Sequence, residues 1–170
     1  RAYYIRGLIY EDQEQYKEAL AEYKLAVDID PNLVHGYINR AVIFRAEAQY
    51  EEALAECERA IAADPNSPIP YNTRGLIYRD RHQYEEALVE YARAIEVAPR
   101  DVENYVARAN VFRTQGQYKE ALTECERAIA ADPNSPAPYL MRGLIYEDQR
   151  QYEEALVEYA CAIEADPTYV

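Results

Sequence analysis

Proline recurs at Pro31, Pro65, Pro99, Pro133 and Pro167, each 34 residues after the last. The chain of 170 residues therefore divides into five equal frames, 1–34, 35–68, 69–102, 103–136 and 137–170. Counting positions within a frame from one, ten positions are identical in all five. Position 3 is always Tyr (Tyr3, Tyr37, Tyr71, Tyr105, Tyr139) and position 6 always Arg (Arg6, Arg40, Arg74, Arg108, Arg142). Positions 15–16 are Gln-Tyr, 18–20 Glu-Ala-Leu, 22 Glu, 26 Ala and 31 Pro. A period of this length marks an array of small units, none of which buries its apolar face alone.

Each frame reads as two helices. Large, small and aromatic residues recur at positions 3, 6, 7 and 10, and again at 16, 19, 20, 23, 26 and 27, the spacing of a helix face. Polar positions 12–15 predict the turn between them. Asp-Pro at positions 30–31 predicts the end of the second helix, since proline disfavours helix in the residue before it. Ser67-Pro68 and Ser135-Pro136 predict a capping serine followed by a first-turn proline. No segment alternates with the period of a strand. Sixteen of the 18 tyrosines fall at positions 3, 10, 16 and 23, so tyrosine here is packing, with a hydroxyl free to reach a partner.

The pattern resembles the tetratricopeptide repeat, a 34-residue helix-turn-helix. The family's first-helix aromatic, leucine, small residue and tyrosine correspond to Tyr3, Arg6, Gly7 and Tyr10; its alanine, aromatic, alanine and proline correspond to Ala19, Tyr23, Ala26 and Pro31. Two departures recur. Arginine stands where the family has leucine, and Cys57 and Cys125 replace the second-helix aromatic. The resemblance implies an all-α, right-handed superhelical solenoid whose first helices line a concave groove that takes peptides or protein segments. Frames one, three and five carry Gly at position 7 with Tyr at 23, whereas frames two and four carry Ala with Cys. That alternation predicts compensated packing within a 68-residue duplicated unit.

Carried onto these frames, the family's groove positions select Tyr4, Leu8, Ile38, Asn39, Val42, Arg45, Asn72, Leu76, Arg79, Val106, Asn110, Arg113, Leu140 and Leu144. The set is an apolar floor, three asparagines able to hydrogen-bond a ligand backbone, and the arginines Arg45, Arg79 and Arg113. These arginines either present a basic stripe to an acidic, apolar partner or pair with Asp80, Glu47 and other local acids. A family subgroup grips a C-terminal carboxylate with lysines, asparagines and arginine. The matching positions here are Tyr4, Leu8, Asn39, Ile69 and Thr73, and only Asn39 agrees. Arg at position 6 and Glu at position 22, present in every frame, predict a ladder of ion pairs between first and second helices.

Other chemistry finds no constellation. His35 and His82 lie in different frames, no phosphate-cradling Gly loop exists, and glutamate pairs such as Glu51-Glu52 fall on solvated helix faces. No catalytic residue, metal site or cofactor is expected. The net charge of −13 repels nucleic acid and anionic lipid, and no apolar run is long enough for a membrane span. Three cysteines without a pairing pattern fit a reducing compartment such as the cytoplasm. Expected partners are a protein or peptide. A second expectation is head-to-tail self-association into a superhelical fibre or a longer array. The residues 166–170 (Asp-Pro-Thr-Tyr-Val) followed by Arg1-Ala2-Tyr3 would read as one more inter-repeat linker.

Overall fold

The computed structural model describes residues 1–168. Among these the chain is all-α, with ten helices and no strand, in two compact units. The first unit, Arg1–Gln83, holds α1 (Ala2–Asp12), α2 (Tyr16–Ile29), α3 (Val34–Ala46), α4 (Tyr50–Ala63) and α5 (Ile69–Asp80). The second, Tyr84–Val170, holds α6 (Tyr84–Val97), α7 (Val102–Thr114), α8 (Tyr118–Ala131), α9 (Ala137–Asp148) and α10 (Tyr152–Ala165). Helix pairs recur every 34 residues, so the expected all-α solenoid of helix-turn-helix repeats is the fold observed.

The turns follow one rule. Position 14 is left-handed in all five repeats: Glu14, Ala48, His82 and Arg150 have φ of 57–61°, and Gly116 has φ of 72°. The amide of the next residue then bonds back across six residues, as Gln15 N does to the Tyr10 carbonyl at 2.8 Å and Gln49 N to Phe44 at 2.8 Å. This closes the first helix and satisfies carbonyls that a helix end leaves open. Only Gly adopts that conformation without crowding its Cβ, so four of the five turns carry a local steric cost.

The second helices end where Asp30, Asp64, Asp132 and Asp166 turn extended before proline, with ψ of 90–103°. Each of these carboxylates accepts the amide two residues on, at 2.9–3.1 Å. The expected serine caps are not seen. The cap positions of α5 and α9 are Pro68 and Pro136, with no side-chain bond. The aspartate turn has already bent the chain, and Pro70 and Pro138 sit in the first turn, where a missing amide costs nothing. The third linker lacks that aspartate and has Ala98 instead; there Asp101 caps α7, accepting from Glu103 N at 3.1 Å. The tyrosines at position 3 reach back across the same linkers. Tyr71, Tyr105 and Tyr139 donate to the carbonyls of Pro65, Pro99 and Pro133 at 3.0–3.1 Å.

Small residues let paired helices touch. Gly7 in α1 lies under the ring of the fully buried Tyr23 in α2, and Gly143 in α9 under Tyr159 in α10. In the alternate repeats Ala41 packs with Cys57, and Ala109 with Cys125. A smaller second-helix residue makes room for one more methyl, which is the compensation the alternating sequence predicts.

Candidate functional site

The first helices place the groove residues on neighbouring stripes. In the first unit, Ile38, Val42 and Arg45 recur at helical spacing on α3, as do Asn72, Leu76 and Arg79 on α5. In the second unit Val106, Asn110 and Arg113 line α7, and Leu140 and Leu144 line α9. The arginines sit in the last turns of α3, α5 and α7, where the helix dipole favours a cation.

Each arginine meets a carboxylate. Arg45 Nε lies 3.3 Å from Asp80 Oδ2, bridging α3 and α5. Arg79 donates from Nη2 and Nε to Asp80 Oδ1, at 2.9 and 3.3 Å. Arg113 Nε lies 2.6 Å from Asp148 Oδ2, bridging α7 and α9, and its Nη1 reaches Asn110 Oδ1 at 3.4 Å. The row is therefore a set of ion pairs rather than a bare basic stripe. The signal for it was in the sequence: position 12 of the third and fifth frames is Asp.

Asn39 donates to the Tyr23 hydroxyl at 3.0 Å and to Glu11 at 3.4 Å, so its amide is engaged within the fold. Tyr23 itself donates to Glu11, and Tyr159 donates to Glu147 at 2.7 Å. Burial, then the neighbouring Glu11 carboxylate, pushes the Tyr23 hydroxyl up; burial and Glu147 push Tyr159 up to about 12. Both stay protonated and serve as donors. This pairing of position 11 glutamate with position 23 tyrosine occurs in frames one and five, where position 11 departs from arginine; frame three keeps Tyr91 at position 23 but has Arg79 at position 11.

The apolar floor is narrower than expected. Ile38 is only 6% exposed, packed with Val34 and Ala60, and Val106 is half-buried against the cores around it. At position 4, Ile38 and Val106 thus turn into the packing beside them, whereas Leu140 stays exposed. Tyr4 is half-buried, its ring 5.6 Å from that of Tyr23. Leu8 is 41% exposed, Val42 and Leu140 are also exposed, and Leu76, Leu144, Asn72 and Asn110 are half-buried.

The Arg-Glu ladder is present. Arg6–Glu22, Arg40–Glu56, Arg108–Glu124 and Arg142–Glu158 are paired at 3.0, 3.1, 3.4 and 2.8 Å. Arg59 and Arg127 approach Glu56 and Glu124 from the following turn, at 2.6 and 3.1 Å. The Arg40 and Arg108 guanidinium groups also lie over the rings of Phe44 and Phe112. Arginine replaces leucine here because its stem packs while its head serves a buried carboxylate. Burial raises Glu56 and Glu158 above the ordinary carboxylate value even against the pull of their arginines.

Burial also pushes the Cys125 thiol up to about 12, so it is a packed side chain and not a poised thiolate. Among the described residues no group of three or more His, Cys, Asp or Glu could hold a metal ion, and no helix is long and apolar enough to cross a membrane.

Helix hairpins that recur every 34 residues define a repeat protein of the α-solenoid class. Sequence models described as tetratricopeptide repeat match residues 1–33, 34–67, 72–136 and 106–170. The chain belongs to the tetratricopeptide repeat family. No curated protein matches its sequence. Several solved structures share its fold. MamA is 20% identical, with 95% of this chain and 94% of that chain covered and a TM-score of 0.74. PilF of Pseudomonas aeruginosa is 22% identical, with 96% and 75% covered and a TM-score of 0.79. YrrB, described as a TPR protein with an unusual peptide-binding site, is 22% identical, with 98% and 86% covered and a TM-score of 0.65.

Proposed function

We propose that the chain is a protein-interaction scaffold that binds a peptide or protein segment along its first-helix surface. The observation that carries this reading is the exposure of apolar side chains on first helices in each unit, Leu8 and Val42 in the first and Leu140 in the second, with the part-exposed ion pairs Arg45–Asp80 and Arg113–Asp148 on first helices of the same units. Apolar side chains flanked by oriented charges are the usual composition of a recognition surface. The reading gives the chain no catalytic role. The YrrB description, of a peptide-binding site on the same fold, supports it by analogy. Selection from a displayed 12-residue peptide library tests it. Enriched peptides should lose binding to Val42→Asp or to Leu140→Asp, according to the unit they contact, but keep it with Val89→Asp, an exposed site on the second helix α6. Failure to enrich any sequence, or dependence on Val89 alone, overturns the reading.

A second reading rests on a different observation. Ile9 on α1 is 52% exposed, whereas at the same repeat position Ile43 and Ile145 are covered, packing with Tyr23 of α2 and Cys125 of α8. On α10, Leu156 is 68% exposed, and Tyr152 and Ile163 are exposed beside it. These two faces are complementary halves of a junction that each unit makes internally, which supports head-to-tail contact between copies. The expected approach of Tyr169-Val170 to Arg1-Tyr3 lies outside the described residues. Light scattering over a concentration series should show mass growth that Leu156→Asp abolishes; a strictly monomeric mass at high concentration overturns it.

A further inference from the structure

The three groove arginines are not equivalent. In the second unit, Arg113 faces Asp148 one to one, and its Nη1 leans on Asn110. In the first unit two arginines share one carboxylate: Arg45 pairs with Asp80, its Nε 3.3 Å from Oδ2, and Arg79 donates to Oδ1 through Nε and Nη2. One negative charge therefore stands between two positive ones. The Nη groups of Arg45 and the Nη1 of Arg79 are not used in these bonds. All three side chains keep about a quarter to a third of their surface in contact with solvent (26%, 31% and 29%). Asp80 thus fixes the forks of both arginines without neutralising them, and holds them at a set separation across α3 and α5. One turn back on each helix lie Val42 and Leu76.

A pair of ordered guanidinium groups with spare N–H donors, beside apolar side chains and within a chain of net charge −13, is complementary to a carboxylate carried on an apolar segment. We propose that Arg45 and Arg79, held by Asp80, form the acid-reading subsite of the groove, taking a Glu or Asp side chain of a bound peptide whose flanking apolar residues rest on Val42 and Leu76. This rests on the groove reading above and narrows it: acidic specificity belongs to the α3–α5 surface of the first unit, and Arg113 does not contribute.

The test uses the full chain and two capped hexapeptides, one alternating Leu with Glu and one alternating Leu with Gln, in an NMR titration that follows the arginine Nε–Hε signals. The Glu peptide should bind roughly tenfold more tightly than the Gln peptide, the scale of a hydrogen bond to a charged group, and should shift Arg45 and Arg79 first. The double change Arg45→Gln and Arg79→Gln should erase that preference, and Arg113→Gln should leave it intact. Asp80→Asn, which releases both forks from their counter-charge, should raise Glu-peptide affinity or hold it, and should not abolish it. Equal binding of both peptides on the first-helix surface overturns the subsite and leaves the groove standing. A preference that survives the double change, or that Arg113→Gln removes, also overturns it. Binding of neither peptide at millimolar concentration overturns the subsite and the groove reading together.

Discussion

Consider adding one methyl group to Gly7. A Cβ built there lies 2.6 Å from Tyr23 Cδ1 and 3.0 Å from Cζ, and the same addition at Gly143 lies 2.5 and 2.9 Å from the matching atoms of Tyr159. Carbon atoms in contact prefer about 3.5–4.0 Å, so ring or helix must move by about 1 Å. Tyr23 has little freedom to do so: it is fully buried, its hydroxyl is tied to Glu11 and Asn39, and its ring is against Tyr4. Overpacking of this kind costs about 1–3 kcal/mol, and with a fixed ring the upper end applies. Alanine returns about 1 kcal/mol of helix propensity over glycine. Gly7→Ala should therefore lose about 2 kcal/mol net. Tyr23→Cys alone opens a cavity, with a loss of about 3 kcal/mol or more by comparison with other aromatic truncations. In that background Gly7→Ala should become favourable by about 1 kcal/mol, because the pair then has the Ala-Cys combination found at Ala41 and Cys57. The coupling between the two positions is thus about 3 kcal/mol, well above the roughly 0.5 kcal/mol scatter of independent sites. Urea unfolding followed by circular dichroism on the four proteins of the cycle measures it. Additive effects, or a Gly7→Ala protein as stable as the parent, refute the compensated-packing account.

Three further outcomes follow from the repeat geometry. Ala48→Gly and His82→Gly should each stabilise by up to about 1 kcal/mol, and Gly116→Ala destabilise by a similar amount, since position 14 is left-handed and a Cβ at Gly116 would meet no other side chain within 4 Å; thermal unfolding checks all three. Glu56 holds its proton more tightly in the folded chain than the ordinary value of 4.5, so the stability it contributes is full below that value and is lost as pH rises through its higher folded value; Glu56→Gln should flatten that part of the stability–pH curve measured by urea titration. Tyr105→Phe removes the bond to the Pro99 carbonyl and should cost about 1 kcal/mol in urea unfolding, with little change in far-ultraviolet dichroism.

Much of the fold was legible because the same physics repeats five times. A helix face, a small residue at a crossing and an Asp-Pro stop are local signals, and Arg at position 6 with Glu at 22 announced a cross-helix pair before any coordinates. Local signals also misled. Ser67-Pro68 reads as a cap, but the aspartate turn at Asp64 had already used the bend, so the helix begins on proline instead. The left-handed residue at position 14 was hidden because four of its five occupants are not glycine; only Gly116 betrayed it. For the expected groove residues, the repeat pattern assigns a helix to each side chain but not its depth. Whether Ile38 faces outward or into Ala60 depends on how a second helix packs beside it, which one frame alone does not encode. Likewise the choice between a basic stripe and ion pairs turned on Asp80 and Asp148 standing one repeat ahead of their arginines.

The proposed binding of a partner by the first helices is open to a direct test. The most direct measurement is amide and methyl chemical-shift mapping of the full chain on titration with a library-selected peptide. The largest shifts should fall on the first helices of the unit the peptide contacts, on Leu8, Val42 and Leu76 of α1, α3 and α5 or on Leu140 and Leu144 of α9, with the second-helix residues Val89 and Ile29 unmoved. Shifts centred on Val89, Ile29 or the other exposed second-helix residues, with the first helices silent, would contradict it.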